Sequence, residues 1–336
     1  MTNEKILLGH GSGGRMTGRL IREHILRHLG NPLLDLLDDA ALVDLSGCRA
    51  AFTTDSYVVR PLFFPGGNIG KLSVCGTVND LSVMGARPRA LSLSLIIEEG
   101  FAMEDLERIL ASIRLTADEA EVAVVTGDTK VVERGAADGL FICTAGIGTF
   151  EEGFDLSRKK IEEGDVLLLS GTIGDHGVAI FSAREEMHLS SALVSDCAPL
   201  NHLILSVLSK TDGVKFMRDP TRGGLAAVLN EIAADTGLGV VIDEAAIPIR
   251  EEVRAICDLV GFDPLHLANE GKVLMVVSPD KAEIALTALR KNPLGAQASL
   301  IGRLTSSSPG KVILKTSVGG RRIVDLPESD PLPRIC

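Results

Sequence analysis

Helical and extended apolar segments alternate along this chain in two blocks, which the charged stretch FEEGFDLSRKKIEE (residues 150–163) separates. This stretch lacks apolar periodicity, so we place a boundary in it, with domains at 1–152 and 153–326. Alternating elements in two blocks predict a mixed α/β (α+β) fold. The predicted helices cover Arg15–Leu29, Asn68–Met84, Met103–Ala120, Leu225–Asp235 and 281–290. The predicted strands cover 91–97, 122–125, 140–147, 166–171, 240–242, 273–278, 311–315 and 322–326.

Composition restricts the classes of function. The 336 residues are 45% hydrophobic and 3% aromatic, contain no tryptophan and carry a net charge of −11. We expect neither nucleic acid nor a membrane surface as a partner, because binding them relies on basic patches and aromatic stacking. No apolar run reaches the about 18 residues of a membrane span, and we expect no signal peptide. The six cysteines form no C-x-x-C pair, which favours reduced thiols in a cytoplasmic protein.

The C-terminal segment LPESDPLPRIC (residues 326–336) ends on a thiol, Cys336. Its three prolines, at positions 327, 331 and 333, keep it out of helices and central strands. We therefore expect residues 327–336 to form a flexible, extended tail that carries a reactive cysteine. Ten extended residues reach about 30 Å at roughly 3.1 Å each, so the thiol could visit more than one site.

The N-terminal sequence GHGSGG contains the spacing G-x-G-x-x-G at Gly9, Gly11 and Gly14. A glycine-rich loop after a short strand lets backbone N–H groups approach a phosphate. A dinucleotide-binding turn also needs an acidic residue at the end of a second strand, about 20 residues later. Asp35 matches that position poorly, so a general phosphate loop is favoured over NAD binding.

Acidic residues next to apolar strands form the most informative pattern of the first block. They occur beside Gly, Thr or Ala, where a ligand could approach the backbone, and no His or Cys accompanies them. Separated carboxylates of this kind suit Mg²⁺, a hard cation that is shared with phosphates. Each one alone could equally be a helix cap or turn residue. The candidates are Asp38, Asp39, Asp55, Asp80 and Asp128.

Four further residues are candidates for contacts with an anion or for proton transfer. Lys130 follows Asp128 by two residues and could neutralise phosphate charge, although most lysines lie at the surface. Asp219 and Arg222 lie before a predicted helix N-terminus, where an anion could bind. Glu270, at a glycine turn before a strand, could be a general base if it is desolvated.

Seven segments resemble conserved segments of one superfamily, and they occur in the same order along the chain as in that superfamily. They are GHGSGGR, LLDDAA, TTDSYVV, GTVNDLSVMGARP, GDTKVV, DPTRGGLA and NEGK. The superfamily contains ATP-dependent enzymes related to aminoimidazole ribonucleotide synthetase, including selenophosphate synthetase and thiamine-monophosphate kinase. The terminal PRIC narrows the resemblance to the carbamoyl dehydratases that mature nickel–iron hydrogenases. The resemblance implies a homodimer in which the N-terminal domains share a barrel-like sheet, with ATP and Mg²⁺ bound near the C-terminal domain.

The resemblance also implies roles for individual residues. The glycine-rich loop, with Gly11 and Gly13, would cover the nucleotide. Lys130 and Glu270 would be catalytic, together with Cys336. Asp219 and Arg222 would line the site. The metal-bound phosphates would be met by Asp39, Asp55, Asp80 and Asp128.

The chemistry that the resemblance implies explains the terminal thiol. The partner HypF would place a carbamoyl group on Cys336, and this chain would use ATP to turn the thiocarbamate into a thiocyanate. Phosphorylation of the carbonyl oxygen replaces hydroxide, a poor leaving group, with phosphate. The cyano group would then pass to iron held by a HypC–HypD complex.

Three other functions are compatible with parts of the sequence. The nearest alternative is a superfamily phosphotransferase that acts on a small diffusible substrate and does not need PRIC. The GHGSGG loop alone would fit an NAD-dependent oxidoreductase. A thiol carrier without catalysis would need Cys336 but neither ATP nor Asp80. The acidic residues and the terminal cysteine together favour the dehydratase.

Overall fold

The computed structural model describes residues 6–11, 14–45, 48–150, 156–187, 193–327 and 332–336. A helical region comes first, in which α1 (Gly14–Arg19) continues through a π-helical turn into α2 (Leu26–Leu29). The other helices and strands of the first half are β1 (Ala41–Leu45), β2 (Cys48–Tyr57), β3 (Phe63–Phe64), β4 (Gly67–Asn68), α3 (Ile69–Val83), β5 (Ala86–Glu98), α4 (Met103–Glu119), β6 (Ala123–Val132) and β7 (Leu140–Phe150).

The second half contains five α-helices and seven strands among the described residues. They are β8 (Val166–Leu169), α5 (Asp175–Arg184), α6 (Asn201–Leu208), β9 (Val214–Arg218), α7 (Gly224–Thr236), β10 (Gly239–Asp243), α8 (Glu251–Val260), β11 (Leu274–Val277), α9 (Ala282–Arg290), β12 (Ser299–Thr305), β13 (Val312–Lys315) and β14 (Arg321–Val324). Where the structure describes the chain, no helix is long and apolar enough to cross a membrane.

The first sheet has the order β1-β2-β7-β5-β6, with only β5 and β6 parallel. Strand β2 alternates between two faces, as a strand must. Thr53 and Tyr57 are buried on the face that α3 covers, while Phe52 points to the other face and is exposed. Asp55 lies on the covered face because it is two residues from each of them. Strand alternation therefore places this carboxylate next to α3.

Helix α3 begins at a side-chain cap and is buried along nearly its whole length. The Asn68 carboxamide oxygen accepts from the N–H groups of Gly70 and Lys71 at 2.9 and 3.1 Å, which satisfies two backbone donors that a helix start leaves unpaired. The helix packs closely on β7, since a Cβ added at Gly146 would lie 2.7 Å from Thr77. This close packing sets the position of Asp80, near the helix C-terminus.

The second sheet has the order β14-β13-β10-β12-β8-β11-β9, and only β10 and β13 are parallel. Both faces are covered, which matches the continuous apolar run of β8. Leu167 and Leu169 pack in the core beneath α7, and Leu168 packs in the core beneath α6 and α9. The sheet is therefore the middle layer of the second half.

A shared hydrophobic core joins the two halves and includes the end of the chain. Residues of α3 and α4 pack in one cluster with Val178 of α5 and Val253 of α8. Leu332 and Ile335 belong to the same cluster and are almost fully buried. Residues 332–336 therefore lie against the protein body in this structure, whereas the prolines predicted a flexible, extended arm.

Strand β6 extends further than its sequence pattern predicts. The apolar run predicted a strand over 122–125, but the strand continues to Val132 and includes Asp128 and Lys130. The strand lies at the sheet edge and is exposed, so its sequence lacks the alternation of a half-buried strand. Elements without a clear sequence signal were also missed, namely β1, β2, β3, β4, β9, β12, α5, α6 and α8.

We predict that Gly146→Ala lowers the free energy of unfolding by about 1–3 kcal/mol, the usual cost of overpacking a core. The added methyl would meet Thr77 and Leu81 at 2.7 and 2.9 Å. Gly18→Ala is the control, because its Cβ would meet only the mobile end of Arg22, and it should be neutral or slightly stabilising. Urea unfolding measures both. Equal effects of the two substitutions would contradict the close packing of α3 on β7.

Candidate active site

Three carboxylates from different parts of the fold meet in one cluster. Asp39 lies just before β1, Asp80 lies on α3, and Asp219 follows β9 directly. One oxygen of each lies within 4.8 Å of the others. Three converging carboxylate oxygens are the ligand type that Mg²⁺ and Ca²⁺ prefer. The donor set therefore fits a hard divalent cation.

The negative charges of the carboxylates in this cluster repel one another. Burial raises the pKa of Asp39 to about 6, although Arg218, whose Nε lies 3.0 Å from Asp39 Oδ1, opposes the shift. Burial and the charge of Asp39 raise the pKa of Asp219 to about 8. Burial also raises the pKa of Asp80 well above its ordinary range, and the charges of Asp55 and Asp219 add to the shift. A bound cation would relieve this repulsion.

Asp55 lies beside the cluster and not within it. Its Oδ2 atom accepts from the Tyr57 hydroxyl at 3.2 Å and from Thr77 at 3.3 Å. The Thr53 hydroxyl lies 2.9 Å from Asp80 Oδ2 and ties the same strand to the cluster. Burial raises the pKa of Asp55, while the Tyr57 hydrogen bond lowers it. Asp55 is thus coupled to Asp80 by charge, and hydrogen bonds from side chains of β2 and α3 hold the two carboxylates.

Glu270 is buried without a hydrogen-bond partner for Oε1 among the described residues. Burial raises the pKa of this carboxyl well above its ordinary range, and the charges of Cys197 and Asp219 raise it further. Its backbone N–H donates to Asp196 Oδ1 at 3.2 Å, which fixes the turn before β11. A desolvated carboxyl with an unused oxygen is suited to proton transfer.

The terminal cysteine lies beside Arg222, which interacts by charge with Cys336 and with the carboxylates of Asp55 and Glu270. The Arg222 guanidinium donates to the Gly11 carbonyl oxygen at 3.2 Å. The charge at Cys336 raises the pKa of Arg222 most, burial lowers it, and the charges of Asp55 and Glu270 raise it again. A cavity of about 140 Å³ lies here, lined by Gly11, Ser56, Val58, Arg222 and residues 332–336. Cys336, Arg222 and Glu270 therefore share one region.

Asp128 and Lys130 do not join this region within one chain. Lys130 Nζ lies 2.7 Å from Asp128 Oδ2, and both side chains are exposed on β6. The hydrogen bond from Lys130 lowers the pKa of Asp128. The strand order separates Asp128 from Asp55 by three strand spacings, roughly 14 Å. Gly13, the other predicted loop residue, lies outside the described residues.

Sequence patterns did not identify Arg218, which forms ion pairs with both Asp39 and Glu231. The sequence feature that could have identified Arg218 is its position at the end of a strand, directly before Asp219. A larger cavity, of about 500 Å³, lies between α6 and α9 and is lined by residues such as Lys210, Ile284 and Lys291. None of the candidate site residues lines it, whereas Gly11, Arg222 and Cys336 line the smaller cavity.

Comparisons with known proteins identify the family of this chain. Residues 37–150 match the family described as AIR synthase related protein, N-terminal domain, and residues 162–315 match its C-terminal domain. Carbamoyl dehydratase HypE of Rhizobium leguminosarum bv. viciae is 49% identical over 337 residues, which covers 100% of this chain and 96% of that protein.

Two solved structures extend the comparison. One is a HypE–HypF complex, with a TM-score of 0.87 and 49% identity over 92% of this chain and 99% of the other. The second is HypE in complex with ATP, with a TM-score of 0.83 and 46% identity over 99% of this chain and 100% of the other. Near-complete coverage at this identity shows the family. The chain belongs to the HypE carbamoyl dehydratases, within the AIR synthase-related superfamily.

Proposed function

We propose that this chain uses ATP to dehydrate a carbamoyl group carried on its own Cys336, which supplies cyanide for a nickel–iron hydrogenase. The observation that carries the proposal is the position of the chain end. Cys336 lines a small cavity beside Arg222. Charges at Cys336, Asp55 and Glu270 all raise the pKa of Arg222. A thiol at this place can present an attached group to the carboxylate site.

The reaction begins when the thiocarbamate carbonyl oxygen attacks the γ-phosphorus of ATP and ADP leaves. Loss of one N–H proton leaves an O-phosphorylated imidate on sulfur. Loss of the second N–H proton breaks the C–O bond, so inorganic phosphate departs and a C≡N bond remains on Cys336. The family includes a HypE structure solved with ATP, which supports ATP as the phosphate donor.

Asp39, Asp80 and Asp219 would hold Mg²⁺, with Asp55 next to them. When bound, this ion would offset negative charge on the phosphates of the nucleotide. The glycine-rich loop would approach the nucleotide, since Gly11 is tied to Arg222 and through it to the thiol region. Arg222 would orient the thiocarbamate.

Glu270 is the base we assign to the N–H protons. Burial raises its pKa well above its ordinary range, which favours the protonated form, and only the ionised fraction can accept a proton. That fraction grows as the pH rises, so dehydration should accelerate with pH. Proximity to the positive charge of Arg222 lowers the pKa of Glu270 and assists its ionisation.

We also propose a homodimer in which β6 of one chain completes the site of its partner. One face of the first sheet is uncovered, with Phe52 and Ile147 exposed opposite each other on β2 and β7. Val125 and Val131 of the edge strand β6 are 65% and 67% exposed. Joining two such sheets would bury these residues. It would also bring Asp128 and Lys130 of one chain towards the carboxylate site of its partner.

The partners that we propose follow from the chemistry of the thiol. A relative was solved as a HypE–HypF complex, which supports HypF as the carbamoyl donor. A HypC–HypD complex that carries iron would accept the cyano group. We place the reaction in the cytoplasm, where thiols stay reduced, as the cysteines at positions 75, 143, 197, 257 and 336 are in this structure.

We predict that Glu270→Gln slows dehydration by about a hundred- to ten-thousandfold, the usual contribution of a general base. Below the pKa of Glu270, the wild-type rate should rise about tenfold per pH unit, because that group must lose its proton. The Gln variant should not show this rise. Phosphate release from carbamoylated protein in a single turnover measures both, with Cys336→Ala as the blank and the exposed Glu251→Gln as the control. An unchanged rate and pH profile would contradict the role of Glu270.

A second prediction concerns the dimer. Asp80→Asn and Lys130→Ala should each be inactive alone, but a mixed dimer should recover about half of the wild-type activity. In such a dimer one site receives both substitutions and the other receives neither, provided that Lys130 acts across the interface. Subunits with different affinity tags, exchanged and purified as heterodimers, allow the measurement. No recovery in a verified heterodimer would place Lys130 in the site of its own chain.

A further inference from the structure

The main chain of the tail is held by a fork-shaped contact from α5. The Arg184 guanidinium donates to the carbonyl oxygens of Pro333 and Arg334, both at 3.0 Å. It also donates to the Arg60 carbonyl oxygen at 2.8 and 3.1 Å. A planar guanidinium can serve three carbonyl groups at once, which a lysine cannot do with the same geometry. Arg184 therefore joins the tail to the segment after β2.

His176, also on α5, holds the next carbonyl group. Its ring is fully buried, with Nε2 at 2.9 Å from the Ile335 carbonyl oxygen and Nδ1 at 2.8 Å from Ser195 Oγ. A carbonyl oxygen can only accept, so the hydrogen-bond pattern assigns the proton to Nε2 and makes Nδ1 an acceptor. The Cys197 N–H donates to Ser195 Oγ at 3.0 Å and orients that hydroxyl. The imidazole is thus fixed as a donor to the tail.

The backbone of Val58 and Arg60 completes the contact. The Val58 N–H donates to a terminal carboxylate oxygen of Cys336 at 3.1 Å, and the Arg60 N–H donates to the carbonyl oxygen of Arg334 at 3.2 Å. Arg334 Nη1 lies 2.6 Å from Asp138 Oδ2, and its backbone has a left-handed φ of 55°. A left-handed conformation at a residue other than glycine persists where its surroundings fix it. The tail is therefore held by specific contacts.

We propose that His176 and Arg184 are positioning residues, which hold the tail by its main chain and place Cys336 beside Arg222 for dehydration. Together with Val58, Arg60 and Asp138 they form what we call the tail-docking groove. This inference rests on the proposed function for its catalytic part, whereas the docking itself does not. The groove contacts main-chain oxygens and the Arg334 side chain, so a carbamoyl group on sulfur would leave these contacts intact.

The test compares His176→Phe, which removes the donor, with His176→Gln, which keeps a side-chain N–H. His202→Phe is the matched control, because His202 Nε2 also lies against a backbone carbonyl, that of Glu119, at 3.1 Å and away from the tail. Hydrogen–deuterium exchange of full-length protein, read by mass spectrometry on peptides with Val58 and Arg60, reports docking. Single-turnover dehydration of carbamoylated protein reports positioning.

We expect His176→Phe to speed exchange at these amides about tenfold and to slow dehydration by a similar factor, since one buried hydrogen bond is lost. His176→Gln should restore much of both, and His202→Phe should change neither. Unchanged exchange in His176→Phe would overturn the docking role. Faster exchange with an unchanged dehydration rate would overturn the positioning role. If carbamoylated wild-type protein forms no thiocyanate with ATP, the proposed function fails, while the exchange data still decide whether His176 holds the tail.

Discussion

The crowding of negative charge around Asp80 is the constraint on which the rest of this structure depends. Asp39, Asp80 and Asp219 come from a loop, a buried helix and a strand end, and their oxygens still converge within 4.8 Å. Burial raises the pKa of each carboxyl, so holding all three as anions without a cation costs free energy. The surrounding fold must therefore be rigid enough to keep the carboxyl groups together until a cation and a nucleotide arrive. The capped α3 helix and its tight contact with β7 provide that rigidity.

The tail must meet two opposing demands. It has to dock accurately beside Arg222, and by our account it has to leave for a carbamoyl donor and an iron acceptor. Main-chain hydrogen bonds suit both demands, because each contributes only about 0.5–1.5 kcal/mol and the set can be broken in steps. Pro333 helps docking as well, since a proline loses less conformational entropy than other residues when its segment binds.

Much of the first half could be predicted from sequence, because α3 and α4 have sharp boundaries set by Asn68 and Gly85 and by apolar spacing. Asp39, Asp80 and Asp219 were recognisable as candidates, although Asp219 was expected only to line the site. His176 and Arg184 were not predictable in this way. They bind carbonyl oxygens 149 to 159 residues away, and such contacts need no particular side chain in the partner. Asp128 and Lys130 show a different limit, because the role that we propose for them lies across a dimer interface, which the sequence of one chain does not define.

The most direct test of the central claim is the mass of the C-terminal peptide that contains Cys336. The protein would be carbamoylated by its HypF partner and then incubated with or without Mg·ATP. The account predicts a carbamoyl adduct on Cys336 that loses one water only when Mg·ATP is present. An unmodified Cys336 with continued ATP consumption would contradict it, and would indicate a small diffusible substrate for the same ATP site.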